Sequence, residues 1–287
     1  MPQTINTNIP SLNAQRNMNT SQNSLHVSMQ RLSSGLRVNS AKDDAAGLAI
    51  AERMNSQVRG MTVAMRNAND GISMAQTAEG ALGKVGDMLQ RMRELAVQAA
   101  NGTNSLSDRN SLNNEYLQLA RESARTLGGT QFNGQNILAT SLTSTFQVGA
   151  NTDTNLDQIR ITAFNWTTLA SITSAVGAAV GTDPSVAVSG SDGSFALAAI
   201  TALDQAITSI NDQRAVFGAV QNRFDNVVNN LMVATENQTA ARSRIMDADY
   251  ATETANLSRS QILQQAGNAM LAQANQLPQQ VLALLQR

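Results

Sequence analysis

The chain has 287 residues, of which 20 are basic and 21 acidic, for a formal net charge of −1. That balance, with no basic run, argues against a nucleic-acid binder, and the lack of cysteine excludes disulfides and thiolate metal sites. Aromatic residues make up 3% of the chain and charged residues 14%, a composition that suits narrow helical seams better than a thick globular core.

The N-terminus shows no basic patch followed by an apolar run and a cleavage site, and no window reaches eighteen apolar residues. Taken bare, this predicts a soluble chain without a membrane span, outside the general export route. Residues 1–36 are polar: seventeen of the first thirty are Asn, Gln, Ser or Thr. Met18, Leu25 and Leu32 recur at seven, with Met29 and Leu36 four residues after the last two, giving a thin apolar stripe. Burial of so thin a stripe must offset the entropy of ordering the segment, so it is expected to be disordered alone and helical against a partner.

A non-helical connector follows, Ser33 to Asp44, in which Ser40 and Asp43 are spaced as a capping box. Asp43 and Asp44 would place negative charge at a helix N-terminus. From Ala45 to Ala100 the apolar residues run Ala51, Met54, Val58, Met61, Met65 and Ala68, then Ile72, Ala75, Ala78, Leu82, Val85 and Leu89, then Met92, Ala96 and Ala99. The steps alternate three and four, apart from a three-three break between Ile72 and Ala78 that reads as a stammer. No proline stands between Pro10 and Pro184. The spacing therefore predicts one helix, roughly 80 Å long at about 1.5 Å per residue, packed lengthwise in a rod. The methionines of that seam, Met54, Met61, Met65 and Met92, read as filling for irregular helix interfaces, with no cofactor needed.

Asn101-Gly102 is a usual helix stop, and Ser105 or Ser107 can cap a second helix facing inward through Leu112, Tyr116, Leu119, Ala120, Ser123 and Leu127, ended by Gly128-Gly129. After Gly134 the period becomes alternating. Residues 145–149 and 158–162 read as two short strands across a turn-rich stretch. Residues 165–196, rich in Ser, Thr, Gly and Ala with Pro184 inside, look like a loop-like exposed insert. From Leu197 a helix resumes, with Leu203, Ile210, Phe217, Phe224 and Leu231 every seven residues and Gln213 breaking the intervening apolar series. A last helix, about Glu253 to Leu285, carries Ala255, Ile262, Ala266, Met270, Leu277, Val281 and Leu284, with Pro278 interrupting late.

Short connections make antiparallel neighbours. The reading is thus a mostly α chain: a long antiparallel helical rod with coiled-coil terminal helices and a small β-hairpin region. Its organisation is 1–44 as terminal segment and connector, 45–164 as the first part of the rod with the hairpin, and 165–196 as the insert. Residues 197–240 form the second part of the rod and 241–287 a connector and terminal helix. Both terminal segments finish at the same end with apolar stripes that one chain cannot cover, a place for copies of the chain to meet.

Specific stretches now narrow the reading. They are Arg31-Leu-Ser-Ser-Gly-Leu-Arg-Val-Asn-Ser-Ala-Lys-Asp-Asp-Ala-Ala-Gly-Leu-Ala-Ile50, Gln90-Arg-Met-Arg-Glu-Leu-Ala-Val-Gln98, Gln131-Phe-Asn-Gly134, Ile245-Met-Asp-Ala-Asp-Tyr250, Gln261-Ile-Leu-Gln-Gln-Ala-Gly267 and Val281-Leu-Ala-Leu-Leu285. In this order they resemble bacterial flagellin, over roughly 1–162 and 197–287. The resemblance implies a subunit of the extracellular flagellar filament, polymerising through terminal coiled-coil helices. The residues so implied are Met18, Leu25, Leu32, Ile262, Ala266, Met270, Leu277, Val281, Leu284 and Leu285. It also implies export by the flagellar type III apparatus through an uncleaved N-terminal signal. An export chaperone at the C-terminal helix and junction and cap proteins are the implied partners. Family members sensed by the vertebrate flagellin-specific Toll-like receptor use the face that Arg91, Leu95 and Glu115 match, with Gln90 and Gln98 nearby. The same residues suit packing of neighbouring rods. A related junction or cap-type protein, polymerising only in a short ring, is the alternative.

Enzyme chemistry finds little support. The single histidine, His26, lies on the polar N-terminal segment, and the metallopeptidase pattern His-Glu-x-x-His reported in some flagellins is absent. Asp247 and Asp249 read as a solvated turn before a cation site. The hydroxyl-rich insert suits O-glycosylation or a plain exposed loop, and Asn165-Trp-Thr167 is a weak N-glycosylation pattern. No catalytic, metal or cofactor residue is assigned.

Overall fold

A computed structural model describes residues 7–141, 143–162, 165–166, 169–177, 183–185, 187–190 and 193–285, with side chains as far as Gln276. Its elements are α1 (Ile9–Ser34), α2 (Ala45–Ala99), α3 (Leu106–Gly129), β1 (Gln131–Phe132), β2 (Gln135–Asn136), β3 (Thr143–Gln147), β4 (Gln158–Thr162), α4 (Ala170–Val176), α5 (Ser194–Met246) and α6 (Tyr250–Leu285). The chain is mostly α, with two small antiparallel strand pairs among the described residues. It divides into two compact units, residues 1–57 with 236–287, and residues 58–235.

In the first unit α1 begins at Asn8, whose side chain accepts from Ser11 N at 3.1 Å, with Pro10 in the first turn. It ends at Gly35, φ 73°, a left-handed cap that suits glycine. α1 and α6 pack antiparallel: Asn8 Nδ2 donates to Ala274 O at 2.8 Å near one end, and Tyr250 OH to Leu32 O at 3.3 Å near the other. The helical α1 therefore has its partner within the chain, which offsets the weak intrinsic helicity of so polar a segment. The connectors meet in a short antiparallel bridge, Leu36 with Asp247, beside a small core of Val38, Ala51 and Met246. The predicted Ser40–Asp43 capping box does not cap α2. Asp43 instead closes its own loop, accepting from Asn39 N, Ser40 N and Ser40 Oγ, while Asp44 Oδ1 takes Gly47 N at 2.8 Å as the true cap.

In the second unit, α2 is sandwiched between α3 and α5. The predicted seam faces inward from Ala75 on, where Ala75, Leu82, Val85, Leu89, Met92 and Ala96 are all fully buried. Before it, Val58, Met65 and Ile72 are half-buried, and Ala64, Gly71 and Met74 are buried beside them. From α5, Leu203, Ile210, Phe217 and Phe224 meet it, and Gln213, where the heptad pattern breaks, is buried too. α2 and α5 run antiparallel, as the pairs Gly71 with Phe224, Gly86 with Ile210 and Arg93 with Asp204 require. Ser105 caps α3 through a reciprocal capping box with Asp108. The hairpin β3–β4 pairs Thr143 with Thr162 and Gln147 with Gln158. It turns Ile159 and Ile161 inward, sets Phe146 edge-on to Phe224 at 5.6 Å, and is tied to α2 by Asn67 Nδ2 donating to Gln147 O at 3.0 Å.

Two features depart from expectation. The Gln131-Gly134 stretch is a second, minimal hairpin: Asn133 and Gly134 take φ 50° and 78°, the primed turn that Asn-Gly favours. The insert, expected to be an exposed loop, is folded onto α3 where it is described. Trp166, Ile172, Val176 and Val188 are buried, Tyr116 OH donates to Ala175 O at 3.2 Å, and Arg121 pairs with Asp183 at 2.8 Å. Its few large apolar residues are enough to cover a face of α3 that would otherwise meet water. α5 also starts three residues earlier than predicted, at Ser194.

Candidate functional site

Two surfaces bring the predicted residues together. The first is the exposed face that α2 and α3 share. Gln90, Arg91, Glu94, Gln98 and Glu115 are all exposed on it. Arg91 is the centre: its Nε and one terminal nitrogen donate to Glu115 Oε1 at 3.0 and 2.9 Å, and the other to Glu94 Oε2 at 2.9 Å. The hydrogen bonds to Glu94 and then Glu115 push the guanidinium pKa further up. Exposed ion pairs add little stability, so this fork serves chiefly to fix the charge pattern of the face. Leu95 departs from the predicted set. It is 1% exposed and belongs to the core between the helices, so its side chain supports the face from beneath and is not offered to a partner. Beside Arg91, a shallow groove lined by Gln90, Arg93, Glu94, Val97 and Gln98 carries one exposed apolar side chain, Val97.

The second surface is the α1–α6 pair. Met18, Leu25 and Leu32 are half-buried, facing α6 in the same chain. A Cβ on Gly267 would lie 3.8 Å from that of Met18. The N-terminal stripe thus finds part of its cover within the chain and remains half-buried there. The C-terminal stripe behaves differently. Ile262 and Met270 are each 65% exposed, Leu263 is 51% exposed, and Ala266 is exposed as well. α6 turns a second set of residues, among them Ser260, Gly267, Leu271 and Ala274, toward α1. A heptad count found the apolar face of α6 but overlooked the small-residue face, because serine, glycine and alanine carry no hydropathy signal. The predicted Leu277, Val281, Leu284 and Leu285 have side chains outside the described residues.

No group of three or more His, Cys, Asp or Glu able to hold a metal occurs among the described residues. Asp249 holds the start of α6, accepting from Thr252 Oγ1 at 2.8 Å and Ala251 N at 2.9 Å, and Asp247 accepts from Ser243 Oγ. Both carboxylates thus work as turn and cap residues. Within Asn165-Trp-Thr167, Trp166 is 2% exposed and Asn165 is half-buried, a poor site for an attached glycan. No helix among the described residues is long and apolar enough to cross a membrane.

Comparison with known proteins agrees with this arrangement. The bacterial flagellin N-terminal helical region matches residues 5–143, and the bacterial flagellin C-terminal helical region matches residues 200–285. A flagellin of Halalkalibacterium halodurans is 47% identical over 98% of this chain and 99% of its own. The flagellar filament 33 kDa core protein of Treponema phagedenis is 44% identical, again over 98% of this chain and 99% of its own. Among solved structures, a putative flagellar hook-associated protein from Vibrio parahaemolyticus covers 71% of this chain and all of its own, with a TM-score of 0.58. At 12% identity that likeness concerns the fold alone. Matched along almost its whole length, with a helical region at each end, this chain belongs to the bacterial flagellin family.

Proposed function

We infer that the chain is a structural subunit that polymerises with copies of itself into the extracellular flagellar filament, and that it is not an enzyme. One observation of the fold supports this beside the family match: α6 keeps Ile262, Leu263 and Met270 in water while its other face is used up by α1. A heterologous contact between such faces builds an open helical polymer. Electron microscopy and sedimentation of the purified protein after seeding test the reading. Long filaments are expected. Short rings alone would instead support the junction or cap-type alternative.

The finer partners follow from the family resemblance. Export runs through the flagellar type III apparatus, using the polar N-terminal segment as an uncleaved signal. A chain lacking residues 2–36 should then accumulate in the cytoplasm, and finding it in the medium at normal levels would overturn this. An export chaperone covers the apolar face of α6 before assembly. Junction and cap proteins of the same appendage meet the ends of the polymer. The vertebrate flagellin-specific Toll-like receptor reads the α2–α3 face around Arg91 and Glu115.

A further inference from the structure

The α1–α6 pair has an unusual seam. In α1, large residues occupy one heptad position (Met18, Leu25, Leu32) and small ones the other (Ala14, Ser21, Ser28). α6 follows the same rule with Leu257, Gln264 and Leu271 against Ser260, Gly267 and Ala274. Large thus meets small, as Met18 meets Gly267. Because both patterns repeat every seven residues, sliding one helix by a heptad, about 10 Å, again puts large on small. Met18 would simply face Ser260 or Ala274. Over residues 14–32 the seam therefore holds the helices together without fixing their register.

Two positions break the repeat: Ser11, 8% exposed and donating through Oγ to Asn275 Oδ1 at 2.9 Å, falls in the row of Met18, and Glu253 is the charged one. Glu253 stands where the small residues stand, is 7% exposed, and has Arg31 as its cation, NH1 to Oε2 at 3.6 Å. Shifted one way, Glu253 would lie buried over Leu25 without a cation. Shifted the other way, it would leave the helix pair and put Ser260 opposite Leu32. Next to it the backbone is pinned as well. Ala248 N donates to Gly35 O at 2.9 Å, and Arg37 N donates to Met246 O at 2.6 Å. We propose that this clasp, the Arg31–Glu253 pair with the backbone bonds at Gly35 and Arg37, sets the register of the α1–α6 coiled coil, which its apolar seam leaves undetermined. A buried polar residue that fixes register in an otherwise repetitive seam is a known device of coiled coils.

The chain has no cysteine, so engineered pairs report cleanly. The Met18–Gly267 Cβ separation of 3.8 Å fits a disulfide, so Met18→Cys with Gly267→Cys reports the observed register. Met18→Cys with Ser260→Cys, and Met18→Cys with Ala274→Cys, report the two slips. Each pair is placed in the full chain, kept dilute so that bonds form within one chain, in trimethylamine N-oxide to favour burial. Oxidised products are separated by gel mobility, and circular dichroism checks helicity. In the otherwise unaltered chain the Met18–Gly267 bond should exceed either slip by at least about tenfold. With Arg37→Pro, Ala248→Pro and Glu253→Ala together, the slips should rise to within about threefold of it. With Leu25→Ala and Leu271→Ala, which weaken the seam and spare the clasp, yield should fall but register should hold. The proposal is overturned if the clasp variant keeps the observed register, if it forms no bond at all, or if the seam variant slips.

Discussion

The ring of Phe224 lies so close to Gly71 that a Cβ at residue 71 would stand 2.7 Å from its Cζ. The same ring takes the edge of Phe146 from the hairpin, so α2, α5 and β3 converge on one aromatic side chain. Gly71→Ala gains about 1 kcal/mol of helix propensity but adds a methyl where no room exists. Overpacking of about 1–3 kcal/mol should outweigh that gain and lower stability by up to about 2 kcal/mol. Thermal melting checks this. A melting temperature equal to or above that of the unaltered chain would show that Phe224 has somewhere to go.

Arg91 and Leu95 separate two roles that sequence alone merges. Arg91→Ala with Glu115→Lys alters only exposed groups and should leave the fold intact. Receptor activation by the soluble chain should nevertheless weaken by more than about tenfold, or ~1.4 kcal/mol. Leu95→Ala should act through the core, costing about 2–5 kcal/mol of stability. A receptor assay and a melt on both variants test the split; unchanged potency for the first pair would remove the receptor assignment.

Acid should weaken the first unit. Backbone N–H groups of Ser40 and Asn39 hold the Asp43 carboxyl below its usual range, and Thr252 with the Ala251 N–H does the same for Asp249. A carboxyl depressed in the folded chain stabilises it above the unfolded value and loses that contribution as pH falls through the folded one. Melting temperature should therefore be flat near neutrality and fall below about pH 4. Asp43→Asn with Asp249→Asn should show a lower plateau and a shallower acid slope. Parallel curves for the two proteins would contradict the assignment.

Assembly should depend on the face of α6 that α1 leaves uncovered. Ile262→Ala with Met270→Ala removes side chains that are 65% exposed, so the free chain should melt within a few degrees of the original. Buried in a polymer, each would be worth ~2–5 kcal/mol at every subunit. The critical concentration should rise by orders of magnitude in seeded sedimentation. Normal growth would mean that this face stays in water.

Much of the fold was legible because helical seams write themselves in period. Leu82, Leu89 and Met92 were placed inward by spacing alone, and the structure buries them fully. Small residues were the blind spot. Gly267, Ser260 and Ala274 build the face that α6 gives to α1, yet a hydropathy pattern passes over them. Leu95 illustrates a second limit: a short motif names which residues lie near a face but not which of them point outward. The insert illustrates a third, since its serine-rich and glycine-rich composition hides the four side chains, Trp166, Ile172, Val176 and Val188, that fold part of it back onto α3.

Trp166, buried where that stretch meets the core, is the only tryptophan in the chain. Residues 1–57 and 236–287 hold none, and their one tyrosine, Tyr250, is exposed. Tryptophan emission is therefore blind to the melting of the smaller unit and sensitive to that of the larger, while circular dichroism sees both. Each of the two compact units can be followed in the unaltered protein, one as the emission shift and the other as the helical signal left over, with no label attached.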